Sequence, residues 1–130
     1  MKNVIIILNT DGRINMVKSF ITLDSGKRQN WKSGMRRDIQ EDKPRYDLCY
    51  IPMFTRWAEL MKRGAVKYGE RNWEKANSVE ELERFKASAF RHLIQWFNGE
   101  EEEDHAAAVL FNISGAEMVK EKLKGGKKIK

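Results

Sequence analysis

The sequence predicts a mainly α-helical fold, with a three-helix core that forms an oligomeric helical bundle, an N-terminal β-hairpin and a basic arm. Three observations support this prediction. Apolar residues recur at helical spacing in three segments after residue 50, a glycine follows each segment, and Asp-Gly separates two apolar runs near the N-terminus. The chain has 130 residues, of which 41% are hydrophobic, and this is enough for one core but not for two.

The N-terminal region is predicted to form a hairpin followed by a surface arm. Val4–Asn9 and Ile14–Leu23 have the composition of strands, and Asp11-Gly12 between them suits a tight turn because glycine accepts positive φ. Ser25–Asp42 is polar, basic and irregular. The predicted organisation is a hairpin at 1–24, the basic arm at 25–47, a helical domain at 48–124 and a Lys-rich tail at 125–130.

Two amphipathic helices are predicted in the first part of the helical domain. The first covers about Ile51–Tyr68 and ends at Gly69. The second begins at a capping box, with Ser78 as N-cap and Glu81 three residues later, and runs to about Asn98. Their apolar stripes consist of Phe54, Trp57, Ala58, Met61 and Ala65 in the first helix, and of Leu82, Phe85, Ala89, Leu93, Trp96 and Phe97 in the second.

The third helix is predicted from about Glu101–Asp104 to Leu123 and is apolar on two faces. One face contains Ala107, Leu110, Phe111 and Met118, and the other contains Val109, Ile113, Ala116 and Val119. Such a helix lies either at the centre of a fold or in an interface between copies. Three short helices also offer only a shallow pocket. We therefore expect a homodimer or a higher homo-oligomer.

The composition excludes several classes of protein. Cys49 is the one cysteine, which rules out a disulfide framework or a Cys-rich zinc site and suits a reducing compartment. Val4–Leu8 is too short for the apolar core of a secretory signal. No segment approaches the roughly 20 apolar residues that a membrane span needs. We expect a cytoplasmic protein with no membrane partner.

The net charge of +6 is distributed as an acidic middle between two basic ends. Residues 2–45 hold ten Lys and Arg against five Asp and Glu, residues 46–119 hold nine against thirteen, and residues 120–130 hold six against one. An acidic middle suits a divalent metal ion, and basic flanks suit a polyphosphate. A solvated tail with ordinary charged helix faces would give the same composition.

Carboxylates and imidazoles concentrate between the second and third predicted helices. Glu100–Asp104 could supply the few oxygen ligands that Mg²⁺ or Mn²⁺ needs beside phosphates, and Glu59 and His92 could complete the cluster. Acidic residues also favour helix N-termini because of the helix dipole, so that Asp104 and His105 could be ordinary N-cap and first-turn residues. His92 could equally be a buried, hydrogen-bonded histidine.

Cations and aromatic residues cluster where the first helix ends. Lys67 and Arg71 could hold phosphates and Trp73 could stack on a base. A lysine at a helix C-terminus and an aromatic residue after a helix are also ordinary structural features. The basic arm, with Trp31 among its cations, could bind single-stranded nucleic acid or form a solvated loop.

Seven short segments follow one another along residues 33–120. They are Ser33-Gly34-x-x-Arg37-Asp38, Lys43-Pro44-Arg45-Tyr46-Asp47-Leu48, Arg63-Gly64-Ala65-x-Lys67-Tyr68-Gly69-x-Arg71-Asn72-Trp73, Arg91-His92-Leu93, Gly99-Glu100, Asp104-His105-x-Ala107-Ala108 and Asn112. Together they resemble one phage and prophage family, the dATP/dGTP diphosphohydrolase N-terminal domain. The hairpin at 1–24 and the Lys-rich tail lie outside the resemblance.

The resemblance implies a MazG-like hydrolase, which is helical, metal-dependent and splits a nucleoside triphosphate into monophosphate and pyrophosphate. Many members carry a second histidine three residues after the position of His105, where this chain has Ala108. Position by position, the resemblance implies functional roles for Lys67, Tyr68, Asn72, Trp73, Arg91, His92, Asp104, His105 and Asn112.

Three functions follow as hypotheses. The first is a purine (d)NTP pyrophosphohydrolase using Mg²⁺ or Mn²⁺, with catalytic Asp104, His92 and Glu59, metal ligands Asp104, Glu100 and Glu101, and substrate-binding Lys67, Tyr68, Arg71, Asn72, Trp73, Arg91, His105 and Asn112. The second is a phage-type sponge that sequesters a nucleotide-derived signal against host defence without cleaving it. The third is a nucleic-acid-binding protein that uses the arm and the tail.

Overall fold

The computed structural model describes residues 4–8, 14–18 and 20–125, and it describes side chains from residue 20 onward. The chain divides into two compact units, Met1–Tyr46 and Asp47–Lys130, and each is described by itself. The predicted Asp11-Gly12 turn and residues 126–130 of the predicted tail lie outside the described residues.

The first unit contains the predicted N-terminal hairpin. Strands β1 (Val4–Leu8) and β2 (Ile14–Lys18) pair antiparallel, from Val4 opposite Lys18 to Leu8 opposite Ile14. The second strand is shorter than its predicted end at Leu23. Phe20 and Leu23, which follow it, are 93% and 80% exposed, so the apolar run there continues without forming a strand.

A second hairpin lies where the sequence predicts an irregular arm. Strands β3 (Arg28–Asn30) and β4 (Arg36–Asp38) pair antiparallel, and the Trp31 N–H donates to the Met35 carbonyl at 3.1 Å. Gly34 closes this turn with φ at +90°, a conformation that glycine adopts readily. The sequence does not predict these strands, because their residues are polar and show no alternation of apolar and polar positions.

The second unit contains the three predicted helices, which are α1 (Ile51–Tyr68), α2 (Val79–Phe97) and α3 (His105–Lys124). Short 3-10 helices cover Tyr46–Leu48 and Asn72–Lys75. Helix α3 packs against both α2 and α1, which confirms that the helix with two apolar faces is central. None of the helices among the described residues is long and apolar enough to cross a membrane.

Local sequence signals set the helix ends. Gly69 ends α1 with φ at +93°, and its N–H donates to the Ala65 carbonyl at 2.8 Å. The capping box is confirmed, because the Glu81 N–H donates to Ser78 Oγ at 3.2 Å and the Glu81 carboxylate accepts from the backbone N–H of Ser78. The same carboxylate also accepts from the Asn77 N–H at 3.0 Å. Helix α3 begins at His105, so the acidic residues at 100–103 form the loop before it.

The contact between α2 and α3 uses small residues of α3. Ala107 and Val119 are fully buried, and a Cβ placed on Gly115 would overlap the ring of Phe85. That ring packs edge-on against Phe111, with centroids 6.0 Å apart. Glycine therefore permits the close approach of the two helices.

Part of the predicted apolar stripes lies on the surface of this chain. The exposed large apolar side chains of α1, α2 and α3 include Phe54, Phe90, Leu93, Trp96, Phe97 and Ile113. Of the predicted α2 stripe, Leu82, Phe85 and Ala89 are half-buried, whereas the C-terminal half of the stripe is exposed. These side chains are exposed because each helix is covered by its neighbours on one side only.

Candidate functional site

The chain's two histidines meet between α2 and α3. His92 lies in the last two turns of α2, and His105 is the first residue of α3. Their Nδ1 atoms are 2.9 Å apart, and the side chains are buried, with 8% and 2% of each residue exposed. The sequence does not reveal this pair, because the two residues are thirteen positions apart on different helices.

A chain of hydrogen bonds fixes the protons on the two imidazoles when both are neutral. His105 Nε2 is 2.7 Å from Glu102 Oε1, and an ionised carboxylate only accepts, so Nε2 donates. His105 Nδ1 is then an acceptor and His92 Nδ1 donates to it. His92 Nε2 is left to accept from Arg91 Nη2 at 3.3 Å. Burial, followed by the Arg91 charge, lowers the pKa of His92.

Glu103 and the two histidines together form a cluster of side chains that could ligate one metal ion. One carboxylate oxygen of Glu103 and one nitrogen from each of His92 and His105 lie within 4.8 Å of one another. Glu102 lies beside this group and supports it through His105. A bond from its own backbone N–H, followed by the His105 contact, lowers the pKa of Glu102.

Asp104 joins α1 to the start of α3. Its Oδ2 accepts from Arg56 Nε at 2.8 Å and its Oδ1 accepts from Arg56 Nη2 at 2.6 Å. Asp104 is also the N-cap of α3, since Oδ1 accepts from the Ala107 N–H at 3.1 Å. The Arg56 guanidinium is the main cause that lowers the pKa of Asp104. This carboxylate is therefore charged, and it already accepts hydrogen bonds from two partners, Arg56 and the Ala107 N–H.

A cleft of about 460 Å³ opens beside this cluster. Asn112, which is buried, forms part of its wall and donates from Nδ2 to the Ala108 carbonyl at 2.8 Å. The lining residues are Leu60, Arg63, His92, Glu101, Glu102, Glu103, Asp104, Ala108, Phe111 and Asn112.

A second cleft of about 700 Å³ adjoins the first. It is formed by the C-terminal half of α1 and the segment that follows, and it contains the predicted Lys67, Tyr68, Arg71, Asn72 and Trp73. Leu60, Arg63, Glu103 and Phe111 line both clefts. Cationic and aromatic side chains therefore stand next to the carboxylate and imidazole cluster.

Two cations of the second cleft, Lys67 and Arg71, have local partners. Lys67 Nζ lies 5.0 Å from the centroid of the Tyr68 ring, and a hydrogen bond to Tyr68 is the main cause that raises the pKa of Lys67. Arg71 has a left-handed backbone with φ at +59° and pairs with Glu74 at 2.6 Å. This conformation is uncommon for a residue other than glycine.

Four of the predicted site residues line neither cleft, namely Glu59, Glu100, Arg91 and His105. His105 borders the first cleft through its contact with His92. Glu59 lies on α1, and Glu100 Oε1 is 3.5 Å from Gln95 Nε2. Arg91 borders the site through His92 and donates from Nη1 to Gln95 Oε1 at 2.9 Å.

Sequence reasoning gave no role to Arg56 and Arg63, which the structure brings to the site. It included Glu102 and Glu103 only as members of the acidic run Glu100–Asp104. No local pattern in the sequence distinguishes the two arginines from the other cations, which recur along the exposed faces of the helices. The two glutamates belong to a run of five consecutive acidic residues, and only the start of α3 at His105 distinguishes their positions.

No curated protein and no solved structure is significantly similar to the chain. A family model does match. Its description is dATP/dGTP diphosphohydrolase, N-terminal, and it covers residues 33–125. This range includes the three helices, both clefts and the second strand of the second hairpin. As the seven-segment resemblance implied, the chain belongs to the dATP/dGTP diphosphohydrolase N-terminal family.

Proposed function

We propose that this protein is a metal-dependent pyrophosphohydrolase that cleaves a purine (deoxy)nucleoside triphosphate to the monophosphate and pyrophosphate, and that it acts in the cytoplasm. The family description suggests the substrate class. The observation that supports the activity is that the cluster around His92 and the cationic, aromatic cleft adjoin and share Arg63 and Glu103. Phosphoryl transfer requires this adjacency, because the reaction is catalysed mainly by positioning and charge neutralisation.

The second cleft is proposed to hold the base and the polyphosphate. Trp73 or Tyr68 stacks on the base, and Lys67 and Arg71 neutralise phosphate oxygens. Arg71 would exchange its Glu74 partner for phosphate. The remaining proposed substrate contacts are Asn72, Arg91, His105 and Asn112.

The first cleft is proposed to hold the reacting phosphate. A water oxygen attacks the α-phosphorus, the bond to the bridging oxygen breaks, and pyrophosphate leaves. The proton of the water passes to a carboxylate that lines this cleft. Mg²⁺ or Mn²⁺, when bound, would polarise the phosphate oxygens and stabilise the developing charge. The ligands proposed from the sequence are Asp104, Glu100 and Glu101, and the proposed catalytic set is Asp104, His92 and Glu59. Glu100 and Glu59 do not line this cleft, so the proposal depends on Asp104, Glu101 and His92.

The test is an incubation with each dNTP and NTP, with Mn²⁺ or with EDTA, followed by anion exchange of the denatured mixture. We expect monophosphate and pyrophosphate only when metal is present. The Glu103→Gln variant should lose activity, because Glu103 lines both clefts and belongs to the carboxylate and imidazole cluster. Glu121→Gln is the matched control, because this exposed glutamate lies in the last turn of α3 and lines neither of the two clefts nor the groove between α2 and α3. Unchanged triphosphate in every reaction would refute the proposal.

A homo-oligomer is proposed as the active form. Phe90, Leu93 and Ile113 are exposed around a groove of about 290 Å³ between α2 and α3. A second copy that covers this groove would bury apolar area and deepen the shallow clefts of a single chain. A monomeric mass by light scattering would contradict the proposal.

The first alternative is a sponge that holds a nucleotide-derived signal without cleaving it. Ala108 stands where many family members carry a second histidine, and the cationic and aromatic cleft is sufficient for binding. This alternative predicts binding that survives EDTA and release of intact ligand on denaturation. Recovery of monophosphate would exclude it.

The second alternative is binding of nucleic acid through the arm. Trp31 is 39% exposed at the turn of the second hairpin, and Arg36 and Arg37 are exposed beside it. This alternative predicts an affinity that falls steeply with salt. Equal affinity at low and high salt would count against it.

A further inference from the structure

We infer that His92, His105 and Glu103 bind one transition-metal ion of the series from Mn²⁺ to Zn²⁺ in preference to Mg²⁺. This inference rests on the proposed function and revises its ligand set. It assigns the ion to the two imidazoles and Glu103 in place of Asp104, Glu100 and Glu101, and it makes His105 a ligand rather than a substrate contact. The binding itself is measured without nucleotide. The inference and the hydrolytic activity can therefore fail separately.

The separation of the ligand atoms fits a shared ion. The two Nδ1 atoms are 2.9 Å apart. Two nitrogen ligands at about 2.1 Å from one ion and at a right angle to each other are separated by about 3 Å. The Glu103 oxygen lies within 4.8 Å of one nitrogen of each imidazole. Three protein ligands of this kind leave further positions for water or for a phosphate oxygen.

The surroundings of His105 orient it for coordination through Nδ1. Metal-binding histidines usually donate the other ring N–H to a carboxylate, which fixes the tautomer. Glu102 is that carboxylate here, at 2.7 Å from Nε2. The His105 ring is 2% exposed, so it has little freedom to turn its Nδ1 lone pair away from His92.

The chemistry of the ligand set selects the ion. Mg²⁺ prefers an octahedral shell of oxygen atoms, whereas imidazole nitrogen suits Mn²⁺ and, more strongly, the later ions of the series. The alternative set of oxygen ligands is dispersed. Both oxygens of Asp104 accept from Arg56, and Glu100 lies outside the cleft. Two buried nitrogens and one carboxylate are therefore the group assembled for an ion.

Coordination would rearrange one contact. His92 Nδ1 can bind an ion only when the ring proton is on Nε2, which now faces Arg91 Nη2 at 3.3 Å. Arg91 is exposed and can turn away. The ion would thereby release Arg91, which the proposed function counts among the substrate contacts. The Arg91→Met variant should bind the ion at least as tightly as the wild type, and weaker binding would argue against coordination through His92 Nδ1.

The first experiment uses the untagged full chain, stripped with a chelator and titrated with Zn²⁺, Mn²⁺ and Mg²⁺ by calorimetry. We expect one ion per chain, with Mn²⁺ and Zn²⁺ bound at least about tenfold more tightly than Mg²⁺. Because the chain has two histidines, ¹⁵N-imidazole spectra assign the ligands directly. Zn²⁺ should shift both Nδ1 resonances. Absence of binding, or binding that leaves both imidazoles unchanged, would overturn the inference.

Variants test the choice of carboxylate. Glu103→Gln should weaken the binding of Mn²⁺ and Zn²⁺ about tenfold or more, whereas Glu121→Gln should bind like the wild type. Loss of binding in Glu101→Gln with retention in Glu103→Gln would overturn the assignment in favour of the oxygen ligands. Metal binding without cleavage of any triphosphate would leave this site standing and refute only the proposed hydrolysis.

Discussion

Asp104 has two separable structural roles, one as a partner of Arg56 and one as the N-cap of α3. Both Asp104 oxygens accept from the guanidinium, and one of them also accepts from the Ala107 N–H. Arg56 is half-exposed, so the ion pair itself contributes modestly to stability. The cap is the more local contribution, because it satisfies an N–H that the helix leaves unpaired.

Substitutions at Asp104 separate these roles. Asparagine is an equally good N-cap, so Asp104→Asn removes only the charged pair, whereas Asp104→Ala removes both interactions. We expect Asp104→Ala to unfold at lower urea, with a free energy of unfolding about 1 kcal/mol below that of Asp104→Asn. Equal stability of the two variants would show that the cap contributes nothing.

At the scale of the element, the contact between α2 and α3 depends on Gly115. Gly115→Ala places a methyl group against the ring of Phe85, which Phe111 holds from another side. We expect a loss of about 1–3 kcal/mol in the free energy of unfolding, measured in urea. Gly64→Ala is the matched control, because nothing lies within 4 Å of its Cβ on α1 and alanine favours helix. A neutral Gly115→Ala would contradict this packing.

The start of α2 should make stability depend on pH. The Asn77 N–H, followed by the Ser78 hydroxyl, lowers the pKa of Glu81 from the ordinary 4.5. The stability that ionised Glu81 contributes is present above that value and is lost as the pH falls below it. We expect wild type to exceed Glu81→Gln in stability at pH 7, and the two to converge in acid denaturation series below about pH 4. A constant difference across pH would refute this account.

At the scale of the whole molecule, the exposed apolar surface predicts assembly. Phe90→Glu should convert the proposed oligomer to monomer, because it places a charge where an apolar face would be buried. Light scattering measures the mass, and circular dichroism checks that helix content is unchanged. Val66→Glu, on α1 at a residue 85% exposed, should leave the mass unchanged. Identical masses for the wild type and Phe90→Glu would contradict the assignment of this interface.

The helix boundaries could be predicted because the signals that set them are local. Gly69 and the Ser78–Glu81 capping box act through bonds that span four residues or fewer, and they appear in the structure where the sequence placed them. The second hairpin could not be predicted in this way. Its strands are three residues long and polar, so only the backbone pairing reveals them.

The site was predictable in its residue types and segments but not in its pairings. The sequence by itself determined that imidazoles and carboxylates flank the connection to α3 and that cations and aromatic residues follow α1. Only the tertiary structure decided that His92 meets His105, that Arg56 holds Asp104 from 48 residues away, and that Glu103 rather than its acidic neighbours joins the imidazoles. The physical reason is that periodicity and capping act within one or two helical turns. The pairings instead depend on how each helix is rotated against the next, which is set by the close approach of α2 and α3 at Gly115.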